Sequence, residues 1–426
     1  MAVITPAMTV ANTAMTNYAK TVQELIVKKL EEHLRAPLPF LTKGNYRTAK
    51  FVPGTNNTLR YLNMPDMVAT TNSGTVTPGT SPWLYEGTPP TSEVLAFGYE
   101  EFSAYQAGRT LTISDLALKE TDVDMMGAMS DKIAQNAIET ANLYVQGILR
   151  AGTNVYRSGG GLTADVGYTD LLTGNLVKDC VARLLSANVM PFGDGTFHGI
   201  VHPFAKRDLM SDNAAGGWID AQRYQGTVAG GLMRGELGSY GGVRFVESAI
   251  ITPVTQTGAN VSVTGVYTTG VFTTAAGDHG FVVGDKLLMG TVSGAGAGLV
   301  TGQTLYVVTV PSSTTFTCAN TLGGALVTWG SGNLNASNIA KANSVYSTYI
   351  LAPDAYVFGD WNTTEVFITA PGGHTDPLHQ SALIGWKSHY GCKILGEGFY
   401  TTAEPVKYVR IESAVSLGAN ITMSSS

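Results

Sequence analysis

The sequence predicts an α+β protein that carries a small all-β domain inserted into its main fold. Apolar residues recur at helical spacing within residues 17–35, 122–149 and 173–187. Alternating apolar and polar runs, typical of strands, occupy much of the remaining chain. Between Ser248 and Ala340 only Asp278, Asp285 and Lys286 are charged, which marks a region of distinct composition. These three observations together favour a mixed fold interrupted by a β-domain.

Length and charge bound the classes of function. The 426 residues allow two or three folded units. Charged residues make up 14% of the chain, against about 25% in ordinary globular proteins. So few charges indicate a surface that other subunits largely cover. The net charge of -6 does not indicate a basic surface of the kind that binds the phosphates of DNA.

Residues 1–50 are predicted to form an N-terminal arm. Its helix, within 17–35, carries apolar residues such as Tyr18 and Leu25 on one face, and Lys20 and Glu24 on the other. Pro37 follows the helix and prevents its continuation. One apolar face favours an arm that docks onto another surface, and the alternative is an ordinary surface helix. The start of the chain lacks the features of a signal peptide.

An extended hairpin or loop is predicted for residues 51–107. No lysine occurs from Phe51 to Leu118, and clusters of threonine, proline and glycine separate two alternating runs. These runs, 58–64 and 94–102, have the period of strands.

Residues 108–195 follow as a second region, built on a long helix at 122–149. Asp122 and Asp124 suit the N-terminus of this helix, and Arg150 and Gly152 suit its end. At ~1.5 Å per residue the helix would be about 40 Å long, which suits a spine better than a small compact domain.

The second helix, near 173–187, is predicted to be buried through five residues of one face. These are Val177, Cys180, Val181, Leu184 and Leu185. A buried strand through Ile200 and Val201 is expected to follow, and His202 before Pro203 then suits a turn or the entry to a helix.

A mixed sheet is predicted from residues 196–253 and 344–375, with the charge-poor β-domain at 254–343 inserted between them. The flanks 243–251 and 345–351 are themselves strand-like. The simplest topology therefore places the insertion at the tip of a hairpin of the main fold. Residues 376–426 are expected to return to the 108–195 region and to end in a C-terminal tail.

No motif indicates enzyme chemistry, a metal or a cofactor. The three cysteines are far apart in sequence and form no CxxC motif. His198 and His202 would lie about 13 Å apart on a strand, too far for one metal ion. His374, Asp376 and His379 are ligand-type residues, but they lack an HExxH-like pattern.

The sequence contains no motif of a phosphate-binding or nucleophile loop either. The glycines at 159–161 are not followed by GKS or GKT, and no GxSxG nucleophile elbow occurs. The sequence contains no run of about 18 apolar residues, the length needed to span a membrane. We therefore expect no enzyme site.

A series of short segments resembles the major capsid proteins of tailed bacteriophages of the coliphage N-four type. They occur in one order along the chain: LYEGTP at 84–89, GRTLTISD at 108–115, AGTNV at 151–155, HP at 202–203, Trp218, GELGSYGGVRFVES at 235–248, APDAY at 352–356, DPL at 376–378 and GWK at 385–387. The resemblance covers residues from about 39 to 411, except the insertion.

This resemblance implies the Hong Kong 97-type phage capsid fold. Residues 1–50 would be its N-arm and 51–107 its E-loop. Residues 108–195 would be its peripheral or P-domain with the spine helix, and 196–253 with 344–375 its axial or A-domain. The insertion at 254–343 departs from the family pattern, and the resemblance does not imply its role.

The implied function is a major capsid protein that self-assembles, as hexamers and pentamers, into the icosahedral head shell around double-stranded DNA. A separate scaffolding protein and a portal are expected partners, a decoration protein is a further one, and DNA is enclosed without sequence-specific binding. No membrane contact or cofactor is expected. The chain would be made in the host bacterial cytoplasm and reside in the virion. Residues expected at intersubunit contacts are Tyr18, Leu25, Arg60, Trp83, Glu86, Glu100, Glu101 and Arg109.

Three other functions stay open on the sequence alone. The chain could be another virion component, such as a decoration or tail protein, although the long spine helix argues against this. A glycan-binding β-protein is suggested only by Tyr267, Tyr306 and Trp329 in the insertion. A hydrolase would have to use the His374 to His379 segment.

Overall fold

The computed structural model describes residues 39–42, 44–50, 58–63, 86–87, 98–114, 116, 125–158, 160–212, 236–256, 258–266, 268–275, 277–293, 299–328, 333–369, 380–396 and 406–416. These residues form three α-helices and a short 3-10 turn. The helices are α1 (Met125–Ala151), α2 (Gly174–Ser186) and α3 (Pro203–Met210), and the 3-10 turn is Thr163–Asp165.

Strands make up most of the rest of the described chain. In order they are β1 (Tyr46–Lys50), β2 (Thr58–Asn63), β3 (Gly98–Ser103), β4 (Tyr105–Ser114), β5 (Val155–Arg157), β6 (Phe197–Val201), β7 (Glu236–Tyr240), β8 (Val243–Glu247), β9 (Val254–Thr255), β10 (Val261–Val266), β11 (Val271–Thr274), β12 (Lys286–Met289), β13 (Thr304–Ser312), β14 (Thr315–Ala319), β15 (Leu334–Lys341), β16 (Ser344–Leu351), β17 (Tyr356–Thr369), β18 (Ser381–Ile394) and β19 (Tyr408–Ser413). The mixed, strand-rich α+β class predicted from the sequence is confirmed.

The chain divides into two compact units. Unit 1 includes Tyr46–Ile138 and Asp354–Lys407, and unit 2 includes Pro37–Asn45, Glu139–Pro353 and Tyr408–Ser426. The two ranges 344–375 and 376–426, which the sequence analysis treats as single pieces, each contribute to both units. The sequence does not reveal this because β16 and β17, although close in the chain, enter different sheets.

Unit 1 is built on a four-stranded sheet in the order β1-β17-β18-β4. The first half of α1 covers one face of it, because Ile133 and Ala137 pack in one buried cluster with Val366, Ile384 and Trp386. A hydrogen bond from the Trp386 indole Nε1 to the Asn136 side chain, 3.1 Å long, adds a directional contact. This helix was predicted at 122–149. It runs to Ala151, and its predicted acidic start lies outside the described residues.

The main sheet of unit 2 has the strand order β5-β19-β16-β6-β8-β7, with β9 also paired to β16. Helix α2 covers one face through its buried apolar residues and forms an apolar core with β6, β8, β16 and β19. Close packing in this core requires Gly199, because a Cβ there would lie 2.6 Å from the Phe245 ring.

The sequence prediction for α2 is confirmed in its limits and corrected at one residue. Thr173 is the N-cap, and the Asp212 carboxylate accepts a 2.7 Å hydrogen bond from the Gly174 N–H at this end. Leu185, predicted to be buried, is 52% exposed. It lies one position beyond the buried stripe, at the edge of the helix face.

Strands β10 to β15 close into a six-stranded barrel in the order β10-β11-β14-β13-β12-β15. Its interior is apolar and packed. Phe272 and Phe316 stack there at 5.4 Å, and both are fully buried. The described residues 261–341 thus have a core cluster of their own.

The stalk of the barrel differs from the predicted hairpin. We expected the flanks 243–251 and 345–351 to pair, but β8 pairs with β6 and β7 instead. The pairing that closes the barrel base is between β9 and β16, with Val254 opposite Val345. β9 contributes two residues, too few to give an alternating pattern in the sequence.

His202 forms the entry to α3, as predicted. Its ring nitrogen Nδ1 accepts a hydrogen bond of 3.2 Å from the Phe204 N–H, and Pro203 occupies the first helical position. The ring also packs against Tyr346, with centroids 4.5 Å apart. A neutral imidazole is therefore the form that this position requires.

No helix among the described ranges is long and apolar enough to cross a bilayer.

The His202 cap predicts acid sensitivity in unit 2. Burial lowers the pKa of His202 in the folded state, against a smaller opposing effect of Glu247. The unfolded chain, with a histidine pKa of about 6.5, then binds more protons, so stability should fall as pH drops below about 6.5. His202→Asn keeps a good cap without a titrating ring. Urea unfolding at several pH values should show a shallower acid decline for this variant, and parallel declines would contradict the assignment.

Candidate assembly interface

The candidate interface begins with the hairpin of β2 and β3. These strands pair antiparallel, and Arg60 stands opposite Glu101 while Tyr61 stands opposite Glu100. Between the strands, Glu86 and Gly87 lie in an exposed turn. The two strands confirm the paired runs that the sequence predicts within 51–107.

The base of this hairpin is fixed by buried contacts. Phe102 and Ala104 belong to an apolar cluster with Val357 and Leu395. In addition, the Lys393 ammonium donates a 3.2 Å hydrogen bond to the carbonyl of Glu101. The direction in which the hairpin leaves the sheet of unit 1 is therefore set by its base.

The strand β4 is an exposed edge of the same sheet. Among the described strands it pairs only with β18. Of its ten residues only Ile113 is buried, and Tyr105 is 66% exposed. A long exposed edge offers backbone N–H and C=O groups to any further strand, which monomeric proteins usually avoid.

One face of this sheet is open. Alternation along the strands places Gln106, Gly108, Thr110, Phe367, Leu383, Gly385 and Lys387 on the side opposite the α1 contacts; we call this set the open face. Phe367 is 45% exposed, and the Lys387 ammonium lies 5.6 Å from its ring centroid, in a cation–π contact.

Glycines shape the middle of the open face. A Cβ at Gly108 would lie 2.7 Å from the Trp386 carbonyl oxygen, and one at Gly385 would lie 2.7 Å from Thr110 Cγ2. Both positions therefore require glycine, and they leave a shallow hollow beside the Phe367 ring. A flat surface with one aromatic ring is suited to covering by another chain rather than to catalysis.

The three thiols and His198 are held in structural contacts. Cys180, Cys318 and Cys392 are free and buried, and desolvation raises the pKa of Cys180 to about 12. His198 stacks on Phe192 at 3.8 Å, and its Nδ1 lies 2.7 Å from the Asn45 side-chain oxygen. No group of three or more metal-ligating side chains occurs in the described ranges.

The structure places three of the eight predicted contact residues with their side chains. Glu86, Glu101 and Arg109 are exposed, in agreement with a role in contacts, which stays a prediction. Arg60 and Glu100 lie on the hairpin strands, and nothing is described of their side chains. Tyr18, Leu25 and Trp83 lie outside the described residues, as do His374, Asp376 and His379.

Sequence reasoning missed Tyr105, Phe367 and Lys387. The alternation along β17 and β18 could have indicated Phe367 and Lys387. Their neighbours Val366 and Trp386 are buried, so Phe367 and Lys387 lie on the opposite face of the sheet. Of the aromatic residues that suggest glycan binding, Tyr306 is half-buried on β13. Tyr267 and Trp329 lie outside the described residues.

No protein-family model matches the chain, and no curated protein matches it either. Solved phage capsids do. A chain of the cyanophage Pam1 capsid aligns at TM-score 0.51 with 11% identity, over 88% of this chain and 90% of that one. The Ralstonia phage GP4 capsid gives 0.49 with 10% identity and 88% coverage of both chains. The capsid of cyanophage P-SCSP1u gives 0.46 with 11% identity and the same coverage.

The Pam1 alignment shows the fold. This chain has the strand-rich mixed α+β fold of a phage capsid protein, and the alignment extends over most of its length.

The open face predicts a site where added charge blocks association. Phe367→Glu should leave the subunit folded, because the ring is half-exposed, yet it would force a carboxylate under any chain that covers the face. We expect the association constant measured by sedimentation velocity to fall at least tenfold, which corresponds to about 1.4 kcal/mol. Phe367→Tyr keeps the ring and should assemble normally. Equal assembly of all three proteins would exclude the open face from contacts.

Proposed function

We propose that this chain is a major capsid protein whose copies assemble into the icosahedral head shell around the double-stranded DNA of a tailed phage. The observation that carries this proposal is the match of the Pam1 capsid chain over 88% of the sequence. The ordered sequence segments that resemble the N-four type family point in the same direction.

We further infer the Hong Kong 97-type arrangement. The β2–β3 hairpin would be the E-loop, α1 the spine helix, and the sheet around β16 the axial domain. The barrel would be an inserted domain. Support comes from the order of these elements along the chain, which is the order that this arrangement requires.

The physical requirements of a shell agree with the exposed features of unit 1. A closed shell needs many repeated contacts, each weak enough to correct errors, whose avidity accumulates. An exposed edge strand and an open sheet face supply contact area without a deep binding pocket. Hexamers and pentamers would be the assembly units, with a scaffolding protein and a portal as partners. DNA would be enclosed without sequence-specific contacts, in keeping with the net charge of -6.

Electron microscopy of the purified full chain tests the proposal directly. At high protein concentration we expect capsomer-sized rings, sheets or shells, and these should dissociate on dilution because each contact is weak. A chain that stays monomeric at all concentrations, alone and with its phage's scaffolding protein, would contradict it.

The attachment of the barrel depends on a buried carboxylate. Asp285, with no exposed surface, accepts hydrogen bonds from the N–H groups of Tyr168 and Val282, both 2.8 Å, and from the Asn343 amide at 2.9 Å. Lys341 forms an ion pair with it at 3.5 Å. Since a buried charge is tolerated only when it is satisfied in this way, these contacts hold the barrel to the loop at Tyr168.

A second anchor lies at the barrel base. The Gln256 side-chain amide donates to the carbonyls of Thr163, at 2.5 Å, and Val166, at 2.7 Å. The backbone of Gln256 also donates a 2.9 Å hydrogen bond to the carbonyl of Asn343. Residues 254–256 therefore belong structurally to the main sheet.

Two deletion variants distinguish the contribution of the barrel from that of the residues that anchor it. Replacing 258–341 by a short Gly-Ser linker keeps β9 and Gln256, and closing this short gap costs little, so the subunit should fold. Replacing 254–343 also removes β9 and should lower stability further, which urea unfolding would measure. Because the barrel surface is poor in charge, we expect the first variant to assemble poorly. Normal particles would make the barrel an exposed decoration, and insoluble protein would show that it is part of the core.

A further inference from the structure

The main sheet of unit 2 has two buried faces of different chemistry. On one face Tyr346, Ile350 and Ile411 pack into the apolar core with α2. On the other face four buried residues of the same strands are polar or charged. These are Ser347 and Tyr349 on β16, and Arg410 and Glu412 on β19.

The polar face is as deeply buried as the apolar one. Tyr349 has no exposed surface, Glu412 is 1% exposed, Ser347 is 2% exposed and Arg410 is 6% exposed. The second half of α1 contributes Gln146, which is 2% exposed. Polar groups this deeply buried need hydrogen-bond partners, because nothing else replaces the water they lose on folding.

The carboxylate on this face is satisfied by protein groups. Glu412 lies between two arginines, with Arg157 Nε 2.6 Å from one oxygen and Arg410 Nη1 2.9 Å from the other. The Thr163 hydroxyl donates a further 2.8 Å hydrogen bond. The Arg410 guanidinium therefore shares this carboxylate with Arg157.

Among the residues of this face named above, four further polar atoms have no hydrogen-bond partner in the described part of the chain. They are Gln146 Nε2, Ser347 Oγ, Tyr349 Oη and Arg410 Nε. Tyr349 and Arg410 are direct neighbours across the β16–β19 ladder, and Ser347 is the next residue along on the same face.

These atoms lie around the Tyr349 hydroxyl. Burial raises the pKa of Tyr349, and Arg410, Ser347 and Gln146 each oppose the rise. The side chains of Ser347 and Gln146 are thus near the hydroxyl, although they do not meet the geometry of a direct hydrogen bond with it. Near neighbours without direct bonds are the usual surroundings of an internal water molecule, which makes two to four hydrogen bonds.

We propose that ordered water occupies the space among Gln146, Ser347, Tyr349 and Arg410, and joins α1 to β16 and β19. The donors and acceptors match water. The Gln146 amide and the Arg410 Nε–H donate to the water oxygen, and the hydroxyls of Ser347 and Tyr349 accept its protons. An anion could accept from the same four groups, and the bromide soak described below distinguishes it from water.

Replacement of the polar groups gives opposite results for a hydrated and a dry site. If water bridges these atoms, Tyr349→Phe removes a hydrogen bond and should raise the unfolded fraction about fivefold in urea titrations. If the atoms are simply unpaired, the same change should leave stability equal or increased, because a buried orphan is removed. The latter result would overturn the proposal.

Thr348→Val is a matched control on the same strand. The hydroxyl of Thr348 is also buried without a partner, but it lies on the apolar face between Tyr346 and Ile350. We expect this nearly isosteric change to be neutral or stabilising. A loss of stability as large as that of Tyr349→Phe would show that the effect is not specific to the hydrated face, and would contradict the proposal.

A double-mutant cycle and a map complete the test. Tyr349→Phe and Gln146→Met should be coupled, because one water serves both, whereas Tyr349→Phe and Thr348→Val should be additive. A high-resolution electron-density map of the full chain, in which ordered solvent is resolved, should show a water peak about 3 Å from at least two of the four atoms. A direct bond between Tyr349 Oη and Gln146 Nε2, or an anomalous bromide peak after soaking, would overturn the assignment to water.

Discussion

The register of β16 is the constraint on which unit 2 depends. This strand pairs with β6, β9 and β19, and from Val345 to Leu351 every residue is buried. A shift by one residue would exchange its two faces. Tyr349 and Ser347 would then enter the apolar core, and Ile350 would meet the arginines. Because the same strand also pairs with the base of the barrel, its register fixes where the barrel is attached.

Unit 1 shows the opposite use of a sheet. One face is closed by α1 through Trp386 and Val366, while Phe367 and the edge strand β4 remain exposed. For an isolated protein this combination is a liability, since an unpaired edge next to an exposed aromatic ring invites further strands. For a chain that functions in an assembly it provides contact area that is ready without rearrangement. The proposed capsid role thus accounts for two exposed features with a single cause.

Much of the fold could be predicted because its signals are local. Periodicity located α2, and the His202-Pro203 pair marked the start of α3, because a cap and a proline act on adjacent residues. The β9 stalk could not be found, since two residues carry no period. Leu185 was misassigned because a helix stripe has no sharp edge. In the candidate interface, the hairpin and Arg109 could be predicted from the sequence. The open face could not, because its prediction requires knowing which side of β18 is covered by α1.

The charge-poor barrel shows why composition alone did not reveal its attachment. Asp285 and Lys341 are drawn into the joint at Tyr168, where the carboxylate is fully buried. Of the remaining charged residues in the described barrel, Asp278 is exposed and Lys286 is half-buried. A surface with so few charges costs little to desolvate when another surface covers it. It also offers little electrostatic selectivity, so any specificity in such a contact must come from shape and from the position of the barrel. The Asp285 contacts, the Gln256 contacts and the β9–β16 pairing set that position together, and they determine which surface the barrel can present.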